Sequence, residues 1–251
     1  LQSLRKALSI LKLFSGPKSE WTAKEIMAEL GFHKSSVQRL VATLEDEGFL
    51  TSDGEYNRKY KLGLEILVLG KVAIRNMDLA SLATSYLGEL VAQANETAHL
   101  CIADHGKSLY IAKVECDRSI RVASQIGARL PMHCTGVGKV LLSGMSEDEI
   151  DRVILQHGLI KYTLNTITSR EKLLQELERI RQEGIALDNE EFDLGLRCVA
   201  APIFGTEGEI IASISVSGPA NRITDETVPI YTKYVKASAE KISNLLNRRK
   251  D

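Results

Sequence analysis

Two short stretches of helical periodicity meet at a glycine in AKEIMAELGFHKSSVQRLVATLEDEGFL, residues 23–50, and this joint constrains the chain more than any other feature. In the second stretch Val37, Leu40, Val41 and Leu44 recur at i, i+3, i+4 and i+7, which puts them on one buried stripe of a helix. The opposite face carries Ser35, Gln38, Arg39 and Ala42. Their hydroxyl, amide, guanidinium and methyl groups can reach base edges or phosphates without holding the helix out of a DNA groove. Thr22 is placed to cap the first helix, and Gly31 can take the positive φ needed at its C-terminus. The pattern predicts a helix-turn-helix.

The following residues, TSDGEYNRKYKLG (51–63), read as two extended pieces flanking a Gly-containing tip, with Arg58, Lys59 and Lys61 on the return. This is the pattern of a β wing. An ordinary small helical bundle with a hairpin is the alternative, but wing, polar face and charge agree on DNA. Residues 1–75 hold 12 Lys and Arg against 9 Asp and Glu, or +3, and residues 76–251 hold 20 against 24, or −4. With a whole-chain charge of −1, the protein is not a polycation that coats nucleic acid, and a local basic surface implies salt-dependent operator binding. Ser35, Gln38 and Arg39 are assigned to the major groove and Lys34, Ser36, Arg58 and Lys59 to the phosphates, with Thr22 completing the DNA-binding set.

A chain of 251 residues with 44% hydrophobic content is longer than such a module needs, which predicts a second, larger domain. The expected division is 1–62 for the winged helix-turn-helix, 63–77 for a linking helix and 78–251 for the second domain. Leu64, Leu67, Val68 and Ile74 give the linking helix an apolar excess that suits either a partner chain or burial in its own domain. Residues 1–14, LQSLRKALSILKLF, have charges through their apolar pattern and no cleavage region, so they read as a first helix and not a signal peptide. The start at Leu1 is expected to reflect a trimmed native N-terminus. No apolar run reaches 18 residues, and Cys101, Cys116, Cys134 and Cys198 show no repeated close spacing, so a reducing cytoplasm is the expected compartment and a disulfide framework is not.

In the second domain, strands are predicted at 99–103, 109–114, 120–124, 198–204 and 210–217, and helices at 79–94, 136–142, 147–156, 170–183 and 225–246. Mixed strands and helices joined partly by hairpins argue for an α+β sensor. In IIASISVSGP the period of two separates Ala212, Ile214 and Val216 from Ser213, Ser215 and Ser217, so one strand face is lined with hydroxyls. Such a face suits a small polar ligand or simply faces solvent. In RLPMHCTGVGKVLLS, Thr135 can cap a helix starting near Gly136 and leave backbone N–H groups for a carboxylate. It is not a phosphate-binding P-loop, since His133 stands where that motif needs Gly and Val140 follows Lys139. Asp188, Glu190, Glu191 and Asp193 precede Arg197 and Cys198, where the acids could orient a ligand hydroxyl or pair with Arg197 at the surface. Aromatic residues make up only 5%, which points to a small aliphatic acid over a large aromatic one.

Taken together, ALSILKLF, residues 23–50, YKLG, LPMHCTGVGKVLLS, and LRCVAAPIF with IIASISVSGPANRIT resemble the IclR family of bacterial transcriptional regulators over nearly the whole chain. The resemblance implies a winged helix-turn-helix, a linking helix and a GAF-like effector domain. It also implies assembly as dimers or dimers of dimers and a small organic acid that shifts operator affinity. The ligand contacts it implies are the backbone at Gly136 and Val137 and the side chains of Asp188, Cys198, Ser215 and Ser217. Cys134 stands where the family often has Ala. No catalytic residue and no cofactor is implied. Two other readings compete. A zinc sensor would use His99, Cys101, His133, Cys134 and Cys198, whose spacing is irregular. An enzyme would need Cys198 or a serine as nucleophile with His133 or His99 as base, and no nucleophile motif surrounds them.

Overall fold

The computed structural model describes residues 2–53, 58–75 and 78–248. The chain divides into two compact units, Leu1–Asn76 and Met77–Asp251.

The first unit runs α1 (Gln2–Leu13), β1 (Trp21–Thr22), α2 (Ala23–Leu30), α3 (Lys34–Asp46), β2 (Leu50–Asp53), β3 (Lys59–Leu62) and α4 (Leu64–Arg75). The stripe of Val37, Leu40, Val41 and Leu44 packs with Ile10, Phe14, Ile26, Leu50 and Tyr60 into one core. A capping box starts α2: the Thr22 hydroxyl accepts from the Glu25 N–H (3.3 Å), and the Glu25 carboxylate accepts from the Thr22 N–H (2.8 Å). Gly31 ends it at φ +65°, donating its N–H to Met27 O. β1, β3 and β2 form an antiparallel sheet in that order, and the predicted wing tip at 54–57 lies outside the described residues. The linking helix expected over 63–77 begins at Leu64, and Leu64, Leu67 and Val68 are exposed in the single chain.

The second unit runs α5 (Asp78–Ala94), β4 (Thr97–Asp104), β5 (Lys107–Val114), β6 (Arg129–Pro131), α6 (Gly136–Ser143), α7 (Glu147–His157), α8 (Arg170–Glu183), β7 (Ala186–Asn189), β8 (Leu196–Phe204), β9 (Ile210–Pro219) and α9 (Val228–Arg248). Its six strands form one antiparallel sheet in the order β6-β5-β4-β9-β8-β7. Alternation gives each face its own core. Ala98, Leu100, Val199, Ala201, Ile214 and Val216 pack against Leu87 and Leu90 of α5 and Val235 and Ile242 of α9. On the other face Cys101, Tyr110, Cys198 and Ala200 meet Val137, Val140 and Leu141 of α6, with Leu173 and Leu177 of α8 behind them. In β5, Ile111 is an unmatched residue between the pairs Leu100–Ala112 and Cys101–Tyr110, a bulge that turns Tyr110 onto the α6 face.

Three expectations change. Residues 120–124 are not a strand: β6 pairs only with Lys107–Leu109 of β5, and the carbonyls of Ile120 and Ser124 accept from the side chains of Arg222 (2.9 Å) and Lys113 (2.5 Å), so residues 115–128 run as irregular chain. The short strands β6 and β7 were not anticipated. The last helix begins at Val228 and not at 225, because Thr227 Oγ1 first closes a turn by accepting from Thr224 N–H and donating to Arg222 O.

Candidate effector site and DNA-binding surface

Strand register assembles the candidate site. Asp188 of β7 pairs with Cys198 of β8, Cys198 with Ser217 of β9, and Ser217 with Thr97 of β4, so these four form one row across the sheet. The next row on that face is Ala200, Ser215, His99 and Lys113. The serine face of β9 is therefore not solvent-facing: Ser213, Ser215 and Ser217 are buried, and Ser215 Oγ has no hydrogen-bond partner among the described residues. An unpaired buried hydroxyl costs about 1–3 kcal/mol, so it marks a place where something else can supply the partner.

Thr135 starts α6 over this face, accepting from Gly138 N–H (3.2 Å) and donating to Pro131 O (2.8 Å). Glycine is needed here for close approach. A Cβ on Gly136 would lie 3.1 Å from Cys198 Sγ, and one on Gly138 would lie 2.4 Å from the backbone of Met132. The start of α6, Gly136 and Val137, thus rests on the row that holds Asp188, Cys198 and Ser217, and the six residues implied by the resemblance converge in space.

Burial sets their protonation. Asp188 is 3% exposed, and desolvation pushes its carboxyl up to about 7, against the pull of the Glu191 N–H that it accepts at 2.8 Å. Desolvation first, and then the Asp188 charge, push the Cys198 thiol up to about 11. Cys101 and Cys134 are raised the same way, so all three are thiols at neutral pH and lack the thiolate that a nucleophile needs. Burial also holds the His99 imidazole down to about 3, a neutral ring stacked on Tyr110 with centroids 4.7 Å apart.

Of the two alternatives for the acidic cluster, pairing with Arg197 is not what the structure shows. Arg197 turns away from it, donating to Asp225 Oδ1 (2.7 Å) and Ile223 O (2.9 Å). Glu191 instead binds Lys139, a lysine only 1% exposed, whose Nζ donates to Glu191 Oε1 (2.5 Å), Leu187 O (2.7 Å) and Glu176 Oε1 (3.3 Å). From sequence, Lys139 has no assigned role beyond preceding Val140, where a P-loop needs Ser or Thr. Its signal was a charged residue in the middle of an apolar helix, VGKVLL. Lys113 was missed because a lysine within a strand reads as solvent-facing. The metal ligands proposed for a zinc sensor do not meet: among the described residues no group of three or more His, Cys, Asp or Glu is placed to hold an ion.

On the first unit Lys34, Ser35, Gln38 and Arg39 are exposed on α3 and Ser36 is half-buried. Thr22, half-buried, spends its hydroxyl on the α2 cap. Arg58 faces Glu45 at 3.8 Å and Lys59 faces Glu20 at 3.3 Å, surface pairs weak enough for phosphates to displace.

The profile described as "IclR helix-turn-helix domain" matches residues 3–54, and "Bacterial transcriptional regulator IclR C-terminal" matches residues 71–244. The chain belongs to the IclR family. It is 33% identical to the HTH-type transcriptional regulator XynR of Escherichia coli K12 over 246 residues, covering 98% of this chain and 97% of that one. An IclR transcriptional regulator from Alicyclobacillus acidocaldarius superposes with a TM-score of 0.87 at 30% identity, covering 98% and 99% of the two chains. An IclR homologue from Microbacterium hydrocarbonoxydans, crystallised with 4-hydroxybenzoate, shares the fold at 21% identity, TM-score 0.85, covering 98% and 99%. As an IclR protein the chain is a DNA-binding transcriptional regulator and not an enzyme, and its α+β unit is the family's C-terminal domain. Among the described residues no helix is long and apolar enough to cross a membrane.

Proposed function

We propose that this IclR regulator is controlled by a small carboxylate bound on the α6 face of its C-terminal domain, with Asp188, Cys198, Ser215, Ser217 and the backbone of Gly136 and Val137 as contacts. The observation that carries this is the convergence of α6 on the Asp188–Cys198–Ser217 row, beside the unpartnered hydroxyl of Ser215. Three short polar groups and a helix start in a buried setting suit an acid with few heavy atoms. The regulator works in the bacterial cytoplasm as a dimer or dimer of dimers, and the exposed apolar side chains of α4 support pairing. Ligand acts through its differential affinity for two arrangements of the assembly, which alters the spacing of recognition helices against operator half-sites.

A panel of small carboxylic acids tests the reading by thermal shift, because a ligand of the native state raises the melting temperature by mass action. One acid class raises it, and both Asp188→Ala and Ser215→Ala abolish the rise. A rise with zinc alone would overturn it.

For DNA, α3 presents Ser35, Gln38 and Arg39 to the major groove, and Lys34, Ser36, Arg58 and Lys59 contact phosphates. Arg39→Ala costs about 1–3 kcal/mol of operator discrimination when its contact is bidentate to guanine. Gel shifts on operator and scrambled DNA measure this, and an unchanged preference in the variant removes Arg39 from base readout.

A further inference from the structure

The irregular chain between β5 and β6 puts one residue on two polar groups of the sheet at once. Ser124 Oγ lies 2.7 Å from His99 Nε2, and the carbonyl of the same residue accepts from Lys113 Nζ at 2.5 Å. His99 and Lys113 are register partners on β4 and β5, and their row continues to Ser215. His99 is fully buried and the Lys113 side chain is 9% exposed, its remaining partner being Glu115 at 2.6 Å. Two further atoms of this row, His99 Nδ1 and Ser215 Oγ, are buried without partners among the described residues. A cavity of about 430 Å³ opens directly on this point, with Ser124, Tyr110, Arg121 and Phe192 in its wall. Ser124 therefore stands between the open cavity and the buried polar row.

The atoms that Ser124 offers are O=C–Cα–Cβ–OH, with the carbonyl on the ammonium and the hydroxyl on the imidazole. A 3-hydroxycarboxylate has the same atoms in the same order. We propose that His99 and Lys113 form a second polar station of the effector chamber, that it takes a 3-hydroxycarboxylate, and that Ser124 occupies it as an intramolecular stand-in until the acid enters. This rests on the carboxylate reading above and adds what the acid must carry. The incoming carboxylate replaces a neutral carbonyl by a full negative charge on the Lys113 ammonium, adding charge–charge attraction to a hydrogen bond whose donor is already ionised. The neutral imidazole keeps one donor and one acceptor nitrogen, so Nε2 can hold an alcohol while Nδ1 stays without a partner among the described residues.

Calorimetric titration of the full chain with 3-hydroxybutyrate, 2-hydroxybutyrate and butyrate tests the proposal, on the unmodified protein and on Ser124→Ala, His99→Phe and Asp188→Ala. The unmodified protein binds 3-hydroxybutyrate about tenfold more tightly than the other two, a difference of about 1.4 kcal/mol. Ser124→Ala tightens 3-hydroxybutyrate several-fold by removing the competing hydroxyl, a gain that a purely structural serine does not produce. His99→Phe, which keeps a ring on Tyr110, erases the preference among the acids. Equal binding of the three acids, or an unchanged affinity in Ser124→Ala, overturns the proposal. If Asp188→Ala abolishes binding while Ser124→Ala is silent, the carboxylate reading stands and the Ser124 mimicry falls. If Ser124→Ala tightens binding and Asp188→Ala changes nothing, the second station stands and the Asp188 row is not a contact. Binding of no acid sinks both.

Discussion

Lys139→Met lowers the unfolding free energy of the C-terminal unit by about 3–5 kcal/mol, the usual cost of stripping a buried ion pair of one partner. Lys139 holds three acceptors, and they do not suffer equally. Glu176 keeps Arg179, whose Nε donates at 2.9 Å, and the Leu187 carbonyl is backbone within β7. Glu191 is the casualty: it is 5% exposed, its Oε2 already has no partner among the described residues, and it loses the only side chain shown bonding its Oε1. Burial already raises the Glu191 pKa and Lys139 opposes that, so the variant raises it further. A raised carboxyl favours the fold below its unfolded value near 4.5 and loses that contribution as pH climbs through the folded value. The deficit of Lys139→Met is therefore larger at pH 8 than at pH 5. Adding Glu191→Met returns most of the lost stability, since an apolar pair of similar volume replaces a costly charge. Urea titration followed by circular dichroism reads both units, while the single tryptophan, Trp21, reports the first, so a shift confined to the dichroism signal places the loss in the C-terminal unit. A cost under about 1 kcal/mol, within the range of surface pairs, would show that the pair does not hold α6 on the sheet.

The same cluster shows what could be read from the sequence and what could not. Features that follow from local periodicity or cap chemistry were legible: the Val37–Leu44 stripe, the Thr22 cap, the αL glycine at 31 and the Thr135 start of α6 are set by residues within one turn of each other. The alternation of β9 gave two faces correctly, but not their environments, because burial of Ser213, Ser215 and Ser217 depends on α6 and the 115–128 segment arriving from elsewhere. Ion-pair partners were illegible for the same reason. Lys139 and Glu191 are 52 residues apart, and Arg197 finds Asp225 28 residues on instead of the four acids immediately before it. Ile120 and Val122 have strand composition, yet the carbonyls of Ile120 and Ser124 are held by the side chains of Arg222 and Lys113, contacts that no local pattern announces. His99 enters the sequence reading only in the two alternatives, as a zinc ligand or a base, whereas its Nε2 meets the Ser124 hydroxyl and, among the described residues, no group of three or more potential metal ligands is placed to hold an ion.

Asp188→Asn makes the C-terminal unit more stable relative to the unmodified protein at pH 8 than at pH 4, by up to about 4 kcal/mol. The argument starts from desolvation, which lifts the Asp188 carboxyl from 3.8 to about 7. Below pH 3.8 the group is protonated in both folded and unfolded chains and its contribution to the fold is fully present. Between pH 3.8 and 7 the unfolded chain ionises and the folded one does not, so that contribution is lost at about 1.36 kcal/mol for each pH unit of separation. An amide does not titrate, and its oxygen can still accept the Glu191 N–H that Asp188 Oδ1 now holds at 2.8 Å; any cost at the Phe192 N–H, which the carboxyl also meets, is the same at both pH values and cancels from the comparison. The other carboxylates whose pKa values are lowered, such as Glu25 at about 2, are shared by both proteins and cancel in the difference. Parallel urea titrations of the two proteins from pH 4 to 8 measure it, and curves that stay parallel would show that the buried carboxyl is ionised as easily in the fold as in the unfolded chain. The result bears directly on the effector. A carboxyl poised near 7 can donate a hydrogen bond as the acid or accept one as the anion, and only the acid form sits beside a bound carboxylate without repulsion. Under the carboxylate reading, effector affinity therefore falls as pH rises from 6 to 8 in the unmodified protein and stays level in Asp188→Asn.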